Sequence, residues 1–187
     1  MRVIFLENAD SFSWNLIDIL PFPRHEIAVV PGREVVACPD RIAGAAAVVI
    51  GPGPTDPVRT GLVGVVREAV ARGLPTLGVC LGHQAIGIAY GATLERTAPR
   101  HGKRSVATFA GARLFAGIDG AHAVMRYHSL ALAAVAEPLR VVATSEDGVV
   151  MAVEHATLPV AGLQFHPDSF ATPRGADMIA GFFRAVA

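Results

Sequence analysis

The sequence predicts an α/β fold, in which an open and mostly parallel sheet carries helices on both faces and is extended by antiparallel strands. In the first half of the chain, short apolar runs alternate with longer amphipathic ones, which is the order of βαβ units. In the second half, strand-like runs follow one another with short polar turns between them, which is typical of antiparallel strands. Because no linker, repeat or low-complexity segment interrupts the chain, a single domain over residues 1–187 is expected.

The strands of the first half are continuously apolar rather than alternating, which indicates burial on both faces of a parallel sheet. Helices with an amphipathic pattern separate them, and Asp10 or Ser11 is the expected N-cap of the first one. Gly73 closes the second helix. The predicted strands cover residues 2–7, 26–30, 46–50 and 75–79, and the predicted helices cover 10–20, 55–72 and 82–90.

The second half is predicted to pack on the parallel sheet or to extend it. Glu146-Asp147-Gly148 between two apolar runs has the composition of a tight hairpin turn. A closing helix is expected over residues 174–186. The predicted strands cover residues 105–109, 124–127, 139–144, 149–154 and 160–165.

Composition excludes several function classes. Lys+Arg and Asp+Glu are equal at 16 each, so no charge excess suggests nucleic acid or an anionic membrane. The mean hydropathy is high at +0.45. However, the longest apolar run, 42–50, is far shorter than the roughly 18–20 residues of a spanning helix. Two cysteines make no disulfide framework and no signal peptide pattern is present, so a cytoplasmic location is expected.

Cys80 is the candidate nucleophile. It lies between a predicted strand and a predicted helix, with Gly78 and Gly82 as second neighbours, which is a nucleophile-elbow pattern with Cys in place of Ser. The glycines allow close passage of neighbouring chain, and the helix N-terminus favours a thiolate. The N–H of Leu81 can then face the oxyanion that forms during attack. The alternative is a small buried hydrophobe or plain loop thiol, which is the expectation for Cys38.

A thiolate nucleophile needs a proton partner and a group that orients the partner. His166 directly follows a predicted strand, and Asp168, two residues on, supplies a carboxylate. Gln84 lies one helical turn beyond Cys80 and can reach the same cleft. The remaining candidates His25, His122 and His155 are expected to be surface or turn residues.

The segment Gly51-Pro52-Gly53-Pro54 ends the third predicted strand beside the fourth. Open α/β sheets bind ligands at this carboxyl edge, so backbone N–H groups there can complete an oxyanion hole or hold a substrate. By itself a Gly-Pro run predicts only a turn. No zinc-like spacing and no phosphate loop with its lysine is present, so neither a metal nor a cofactor is expected.

Three blocks together resemble the class I (triad) glutamine amidotransferases over essentially the whole chain. They are residues 78–84 around Cys80, residues 51–54, and the block Gln164-Phe165-His166-Pro167-Asp168-Ser169. Two further blocks resemble the small subunits of anthranilate synthase and aminodeoxychorismate synthase: Asp10-Ser11-Phe12, and His101-Gly102-Lys103 with Tyr127-His128-Ser129-Leu130. The resemblance implies a flavodoxin-like sheet.

The resemblance also implies a reaction and a partner. Cys80 would attack the side-chain amide of L-glutamine to form a glutamyl thioester, His166 would protonate the departing ammonia, and water would hydrolyse the thioester. The ammonia would pass to a chorismate-utilising synthase subunit (component I) in a hetero-oligomer. The implied glutamine-binding residues are Gly51, Pro52, Gly53, Gln84, Ser129 and Leu130, with the N–H groups of Leu81 and Gly53 as the oxyanion hole.

Asp168 is the main departure from the family, whose members usually carry glutamate at this position. The missing methylene shortens the reach of the carboxylate by about 1.5 Å. An active enzyme is expected, with a reduced rate, because a displacement of about 1 Å can cost on the order of a hundredfold. Two alternatives follow from the same residues: a stand-alone γ-glutamyl hydrolase, and a non-catalytic regulatory subunit that descends from an amidotransferase.

Overall fold

The computed structural model describes residues 2–187 as nine strands and five helices. The strands are β1 Val3–Glu7, β2 Ile27–Pro31, β3 Ala47–Ile50, β4 Thr76–Val79, β5 Thr93–Phe109, β6 Gly120–Ala133, β7 Leu139–Ser145, β8 Val150–His155 and β9 Val160–Leu163. The helices are α1 Ser13–Asp18, α2 Gly32–Ala37, α3 Leu62–Ala71, α4 Leu81–Ala89 and α5 Gly175–Val186.

All nine strands form one sheet in the order β2-β1-β3-β4-β9-β8-β7-β5-β6. The first five strands in this order are parallel, and from β8 onward each strand runs antiparallel to its neighbour. The antiparallel section therefore extends the parallel sheet instead of packing on it. The predicted α/β class with an antiparallel extension is confirmed.

Helices cover both faces of the parallel section, which explains its continuously apolar strands. Alternate side chains of β1 enter opposite cores: Phe5 lies in the cluster with α1 and α5, and Leu6 lies in the cluster with α2, α3 and α4. In β3, Val49 lies in the first of these clusters and Ile50 lies in the second. Each strand residue is thus removed from water whichever face it points to.

Two predicted helices are shorter than expected. The helix predicted over 55–72 begins only at Leu62, because Asp56 caps a turn through the N–H of Val58, and Gly61 then takes a left-handed φ of 76°. The helix predicted over 10–20 is α1, and its N-cap is Phe12 without a side-chain cap. Asp10 accepts a hydrogen bond from the N–H of Phe12 instead, so the expected capping role of Asp10 or Ser11 was wrong.

The strands predicted over 105–109 and 124–127 are parts of a much longer hairpin formed by β5 and β6. Register shifts between Arg96 and Arg100 and between His101 and Lys103 break the alternation of side chains that identifies a strand. The first half of β5 is also mostly exposed and polar. The hairpin turn predicted at Glu146-Asp147-Gly148 is confirmed, because the N–H of Gly148 donates to the carbonyl of Ser145 between β7 and β8.

Among residues 2–187, no helix is both long and apolar enough to pass through a bilayer.

Candidate active site

Cys80 lies at the sharp turn from β4 into α4. Its φ of 51° and ψ of −99° place a non-glycine residue in a strained region of conformational space. The turn brings backbone so close that a Cβ on Gly78 would lie 2.4 Å from the carbonyl of Gly82. A Cβ on Gly82 would lie 2.2 Å from the carbonyl oxygen of Ile50. Both glycines are therefore required by close approach, and the predicted elbow is confirmed.

The loop after β3 reaches the start of α4, as its position in the sheet predicts. A Cβ on Gly53 would lie 2.7 Å from Cδ2 of Leu81, so these two residues are in direct contact. Asn8 holds this loop, because its side-chain amide donates to the carbonyl of Gly51 at 3.0 Å. Gly51 in turn donates to the carbonyl of Leu6 at 3.0 Å. The sequence alone assigned no role to Asn8.

A cavity of about 290 Å³ opens over the Cys80 sulfur. The structure brings five of the expected site residues to its wall: Gly53, Cys80, Gln84, Ser129 and Leu130. Other expected residues, Gly51, Pro52 and Leu81, are buried behind the wall and do not line it. The rest of the lining is Pro54, Thr55, His101, Tyr127 and His128.

His166 and Asp168 lie in the loop that follows β9. The main chain of His166 is fixed to β6, because its N–H donates to the carbonyl of Met125 at 2.9 Å. Nδ1 of His166 lies 3.4 Å from Oδ1 of Asp168, with both side chains buried. The two atoms are within ion-pair distance but are not aligned for a hydrogen bond, and neither has another partner among residues 2–187. This long contact fits an aspartate that is one methylene shorter than glutamate.

The groups next to His166 favour the protonated form of its ring. Burial acts to lower the pKa of His166, but the Asp168 carboxylate and the Cys80 sulfur outweigh it and raise the pKa to about 10. Aromatic rings also confine the imidazole. Tyr127 meets it edge-on with centroids 5.0 Å apart, and Phe12 stacks on Tyr127 at 5.4 Å.

Gln84 connects three elements around the cavity. Its Nε2 donates to the carbonyl of Leu130 at 3.1 Å and to Oε1 of Gln164 at 3.2 Å. Nε2 of Gln164 in turn lies 3.7 Å from the Cys80 sulfur and donates to it. Gln164 was part of the block that carried the resemblance, but it received no role, because its partners belong to distant parts of the chain.

His128 is held in one neutral tautomer. Nε of Arg126 donates to Nε2 of His128 at 3.0 Å, so Nε2 must be an acceptor and the proton must lie on Nδ1. Nδ1 then donates to the carbonyl of Leu130 at 2.9 Å. Burial and the charge of Arg126 lower the pKa of His128 to about 4.

Four further histidines, His25, His83, His122 and His155, and the second cysteine Cys38 lie outside the lining of this cavity. His155 was expected at the surface or in a turn, but it is buried, and its Nδ1 accepts from the N–H groups of Thr157 and Leu158. His83 is fully buried on α4, and burial lowers its pKa to about 3. Cys38 is exposed. Within residues 2–187, no three His, Cys, Asp or Glu side chains converge as a metal site requires.

Known proteins match the chain over nearly its full length. Residues 4–186 match the family model for glutamine amidotransferase class-I. Anthranilate synthase component 2 of Mycobacterium tuberculosis is 40% identical over 194 residues, which cover 97% of this chain and 81% of that protein. Aminodeoxychorismate synthase of Streptomyces griseus is 40% identical over 185 residues, which cover 97% of this chain but 26% of that protein.

A solved structure from Thermoplasma acidophilum, described as part of a GMP synthase, superposes with a TM-score of 0.86 at 19% identity. The superposition covers 100% of this chain and 94% of that one. At this low identity the similarity supports the fold alone.

Proposed function

The chain belongs to the class I glutamine amidotransferase family, and we propose that it is the glutaminase subunit of a chorismate-aminating synthase. The observation that carries this proposal is the position of Cys80: a strained elbow at the start of α4, under a polar cavity, with His166 close to its sulfur. A thiolate beside an imidazolium is the pairing that cysteine acyl transfer needs. The whole chain would act as one amidotransferase domain in the cytoplasm.

In the first half-reaction, the Cys80 thiolate attacks the side-chain amide carbon of L-glutamine. The carbonyl oxygen becomes an oxyanion to which the N–H groups of Leu81 and Gly53 would donate hydrogen bonds, and the contact between these two residues supports this assignment. His166 then gives its proton to the amide nitrogen. The C–N bond breaks, ammonia leaves, and a γ-glutamyl thioester remains on Cys80.

In the second half-reaction, water attacks the thioester carbon and the neutral His166 takes a proton from it. Collapse of the intermediate breaks the C–S bond, releases glutamate and restores the thiolate–imidazolium pair. Asp168 stabilises the imidazolium from 3.4 Å, without an aligned hydrogen bond. Its contribution is therefore smaller than that of a well-aligned carboxylate.

Glutamine would be held by the wall of the cavity around the sulfur. Gly53, Gln84 and the backbone of Ser129 and Leu130 line it, and Gly51 and Pro52, which precede Gly53 in the same loop, are buried. Polar groups fixed by hydrogen bonds on both sides suit a substrate with a carboxylate, an amine and an amide.

Relatives and surface chemistry support a synthase partner. The Mycobacterium tuberculosis relative is a component 2, and in the Streptomyces griseus relative the matching segment is about a quarter of a longer chain. Next to the cavity, Phe170 is 97% exposed and Phe12 is 39% exposed. Large exposed aromatic side chains at one rim are typical of a protein interface. The component I subunit would cover this rim and receive ammonia there.

Glutamate release in mixtures with purified candidate synthases tests the proposal. We expect hydrolysis with wild-type protein and a matching synthase, amination of chorismate by the complex, and neither with Cys80→Ser. Full hydrolysis without any synthase would instead support a stand-alone hydrolase. Equal hydrolysis by wild type and Cys80→Ser in the complex would contradict the proposal.

A further inference from the structure

Arg126 is a fully buried arginine on β6, two residues before His128 of the cavity wall. Its exposed fraction is 0%, and it is among the largest side chains in the interior. Charged side chains are almost never fully buried unless they are paired, so this position requires an explanation. Nothing in the glutaminase reaction uses a cation at this depth.

Arg126 pairs with Asp147, which lies in the turn between β7 and β8 and also accepts from Nη2 of Arg100 at 3.0 Å. Nη1 of Arg126 donates to both carboxylate oxygens of Asp147, at 2.9 and 3.0 Å, and to Oγ of Ser105 at 3.2 Å. Burial acts to raise the pKa of Asp147, but hydrogen bonds from Ser145 and Arg126 outweigh it and lower the pKa to about 2. An ion pair in which the arginine is fully buried is a weak source of stability, because desolvation offsets most of the attraction.

The other side of the guanidinium faces the site. Nε holds His128 in the tautomer that donates from Nδ1 to the carbonyl oxygen of Leu130. The same oxygen accepts from Gln84 on α4. The His128 ring and the Gln84 side chain, which belong to different elements, thus hold the carbonyl of Leu130. Because a peptide unit is planar, they also fix the orientation of the backbone next to this carbonyl.

The backbone at Ser129 needs such support. In the hairpin of β5 and β6, His128 pairs with Arg100 and Leu130 pairs with Arg96, with a register shift between these pairs. Ser129 therefore faces a bulge, where the regular ladder of hydrogen bonds is interrupted. The side-chain hydrogen bonds from Gln84 and His128 support the backbone at the next residue, Leu130.

We propose that Arg126, with Asp147 as its counter-ion, is a positioning residue for glutamine: through His128 it sets the backbone of Ser129 and Leu130 that holds the substrate. The inference rests on the proposed function, since it concerns the substrate of the same site. Arg126 and Asp147 touch no substrate. They act on how well glutamine is held and leave the chemistry at the Cys80 sulfur unchanged.

The test compares Arg126→Met and Asp147→Asn with wild type in the complex with the synthase. Methionine keeps the apolar stem of arginine but removes every donor. We expect the KM for glutamine to rise about ten- to a hundredfold in Arg126→Met and less in Asp147→Asn, with kcat within about threefold of wild type. In ¹⁵N NMR spectra, the His128 ring should lose its single Nδ1–H tautomer in Arg126→Met.

A second readout separates substrate positioning from thiol chemistry. A glutamine-shaped chloroketone should label Cys80 in Arg126→Met about ten- to a hundredfold more slowly than in wild type, while iodoacetamide should label it at an unchanged rate. The matched control is Arg140→Met, which removes another ion pair of a strand arginine, to the fully buried Glu154. This control should lower the unfolding temperature without raising the KM.

The outcomes distinguish the two proposals. If wild-type protein neither hydrolyses glutamine in the complex nor reacts with the chloroketone, the proposed function fails before any variant is considered. If wild type reacts and Arg126→Met matches it in KM and chloroketone rate, the function stands and the positioning role is wrong. An equal slowing of both reagents, or an increase in KM in Arg140→Met, would also overturn the positioning role.

Discussion

Two groups of side chains flank the Cys80 sulfur, and they are held in different ways. On one side, the cradle formed by Gln84, Gln164, His128 and Arg126 is joined by aligned hydrogen bonds of 2.9 to 3.2 Å. On the other side, the proposed catalytic pair of His166 and Asp168 meets at 3.4 Å without alignment. The cradle draws its members from the strand β6, the helix α4 and the start of the loop after β9, whereas the pair lies within three residues of that one loop.

The difference separates substrate positioning from proton transfer. The cradle constrains the backbone of Ser129 and Leu130 from several directions, so loss of one member should affect glutamine binding. His166 is constrained mainly by its main-chain bond to β6 and by the rings of Tyr127 and Phe12. Asp168 then stabilises the protonated ring more than it orients it. Changes in the pair should therefore appear in kcat, and their sizes should differ strongly between His166 and Asp168.

The largest effect should follow from His166→Gln. The variant keeps a polar side chain of similar size but removes the proton that the proposed mechanism gives to the departing ammonia. We expect kcat to fall roughly a thousandfold or more, because removal of one member of such a unit disables it as a whole. The KM for glutamine should stay within about threefold in steady-state assays of the complex. A large rise in KM with little loss of kcat would place His166 in the cradle instead.

The pair of His166 and Asp168 should lose activity at high pH, and the cradle should bind glutamine less well at low pH. The pKa of His166 is raised to about 10, so the imidazolium is lost above that pH, and kcat/KM should fall about tenfold per pH unit there. The pKa of His128 is lowered to about 4, so protonation near that pH breaks its bond from Arg126 and should raise the KM for glutamine. Separate pH profiles of kcat and KM in the complex measure this.

The free energy of unfolding should also decrease toward both ends of the pH scale. The folded pKa of His166 exceeds its ordinary value of 6.5, so its stabilising contribution is complete below pH 6.5 and is lost as the pH rises toward about 10. For His128 the folded pKa is lower, so its contribution is complete above pH 6.5 and is lost as the pH falls toward about 4. Urea titrations at pH 5, 7 and 9.5 should show a maximum at pH 7, and the alkaline decline should be weaker in His166→Gln.

A smaller effect is expected for Asp168→Asn. Since Oδ1 of Asp168 makes no aligned hydrogen bond to the ring, its removal should cost kcat about tenfold or less. The variant also removes a negative charge that raises the pKa of His166, so the alkaline limb of the activity profile should move to lower pH. A thousandfold loss of kcat would mean that the Asp168 carboxylate orients the His166 ring as tightly as the aligned hydrogen bonds hold the side chains of the cradle.

The smallest effect should be a gain in Asp168→Glu. One more methylene adds about 1.5 Å of reach, which exceeds the gap between 3.4 Å and an ordinary charge-assisted hydrogen bond. We expect kcat to rise about two- to fivefold with an unchanged KM. A loss of activity would mean that the loop is built around aspartate and that Asp168 is not a shortened orienting group.

The elbow and the parallel strands could be predicted because their causes are local. Continuous apolar runs identify buried strands, and the glycines on both sides of Cys80 meet backbone that a Cβ would strike. Most of the cradle could not be predicted in this way. Arg126 follows Met125 in an apolar run, and its counter-ion Asp147 is 21 residues away in a turn that the sequence identifies only as a turn. Bulges interrupt the alternation of side chains in β5 and β6, so the sequence pattern does not identify most of these two strands or the surroundings of Ser129.

The most direct test of the central claim is the labelling of wild-type protein by a glutamine-shaped chloroketone, followed by peptide mass spectrometry. The chain offers its own control, because Cys38 is exposed and Cys80 is buried below the cavity. The account predicts one adduct on the Cys80 peptide, slowed by free glutamine and absent in Cys80→Ala. An adduct on Cys38, or a Cys80 that reacts with iodoacetamide but not with the glutamine-shaped reagent, would contradict the account.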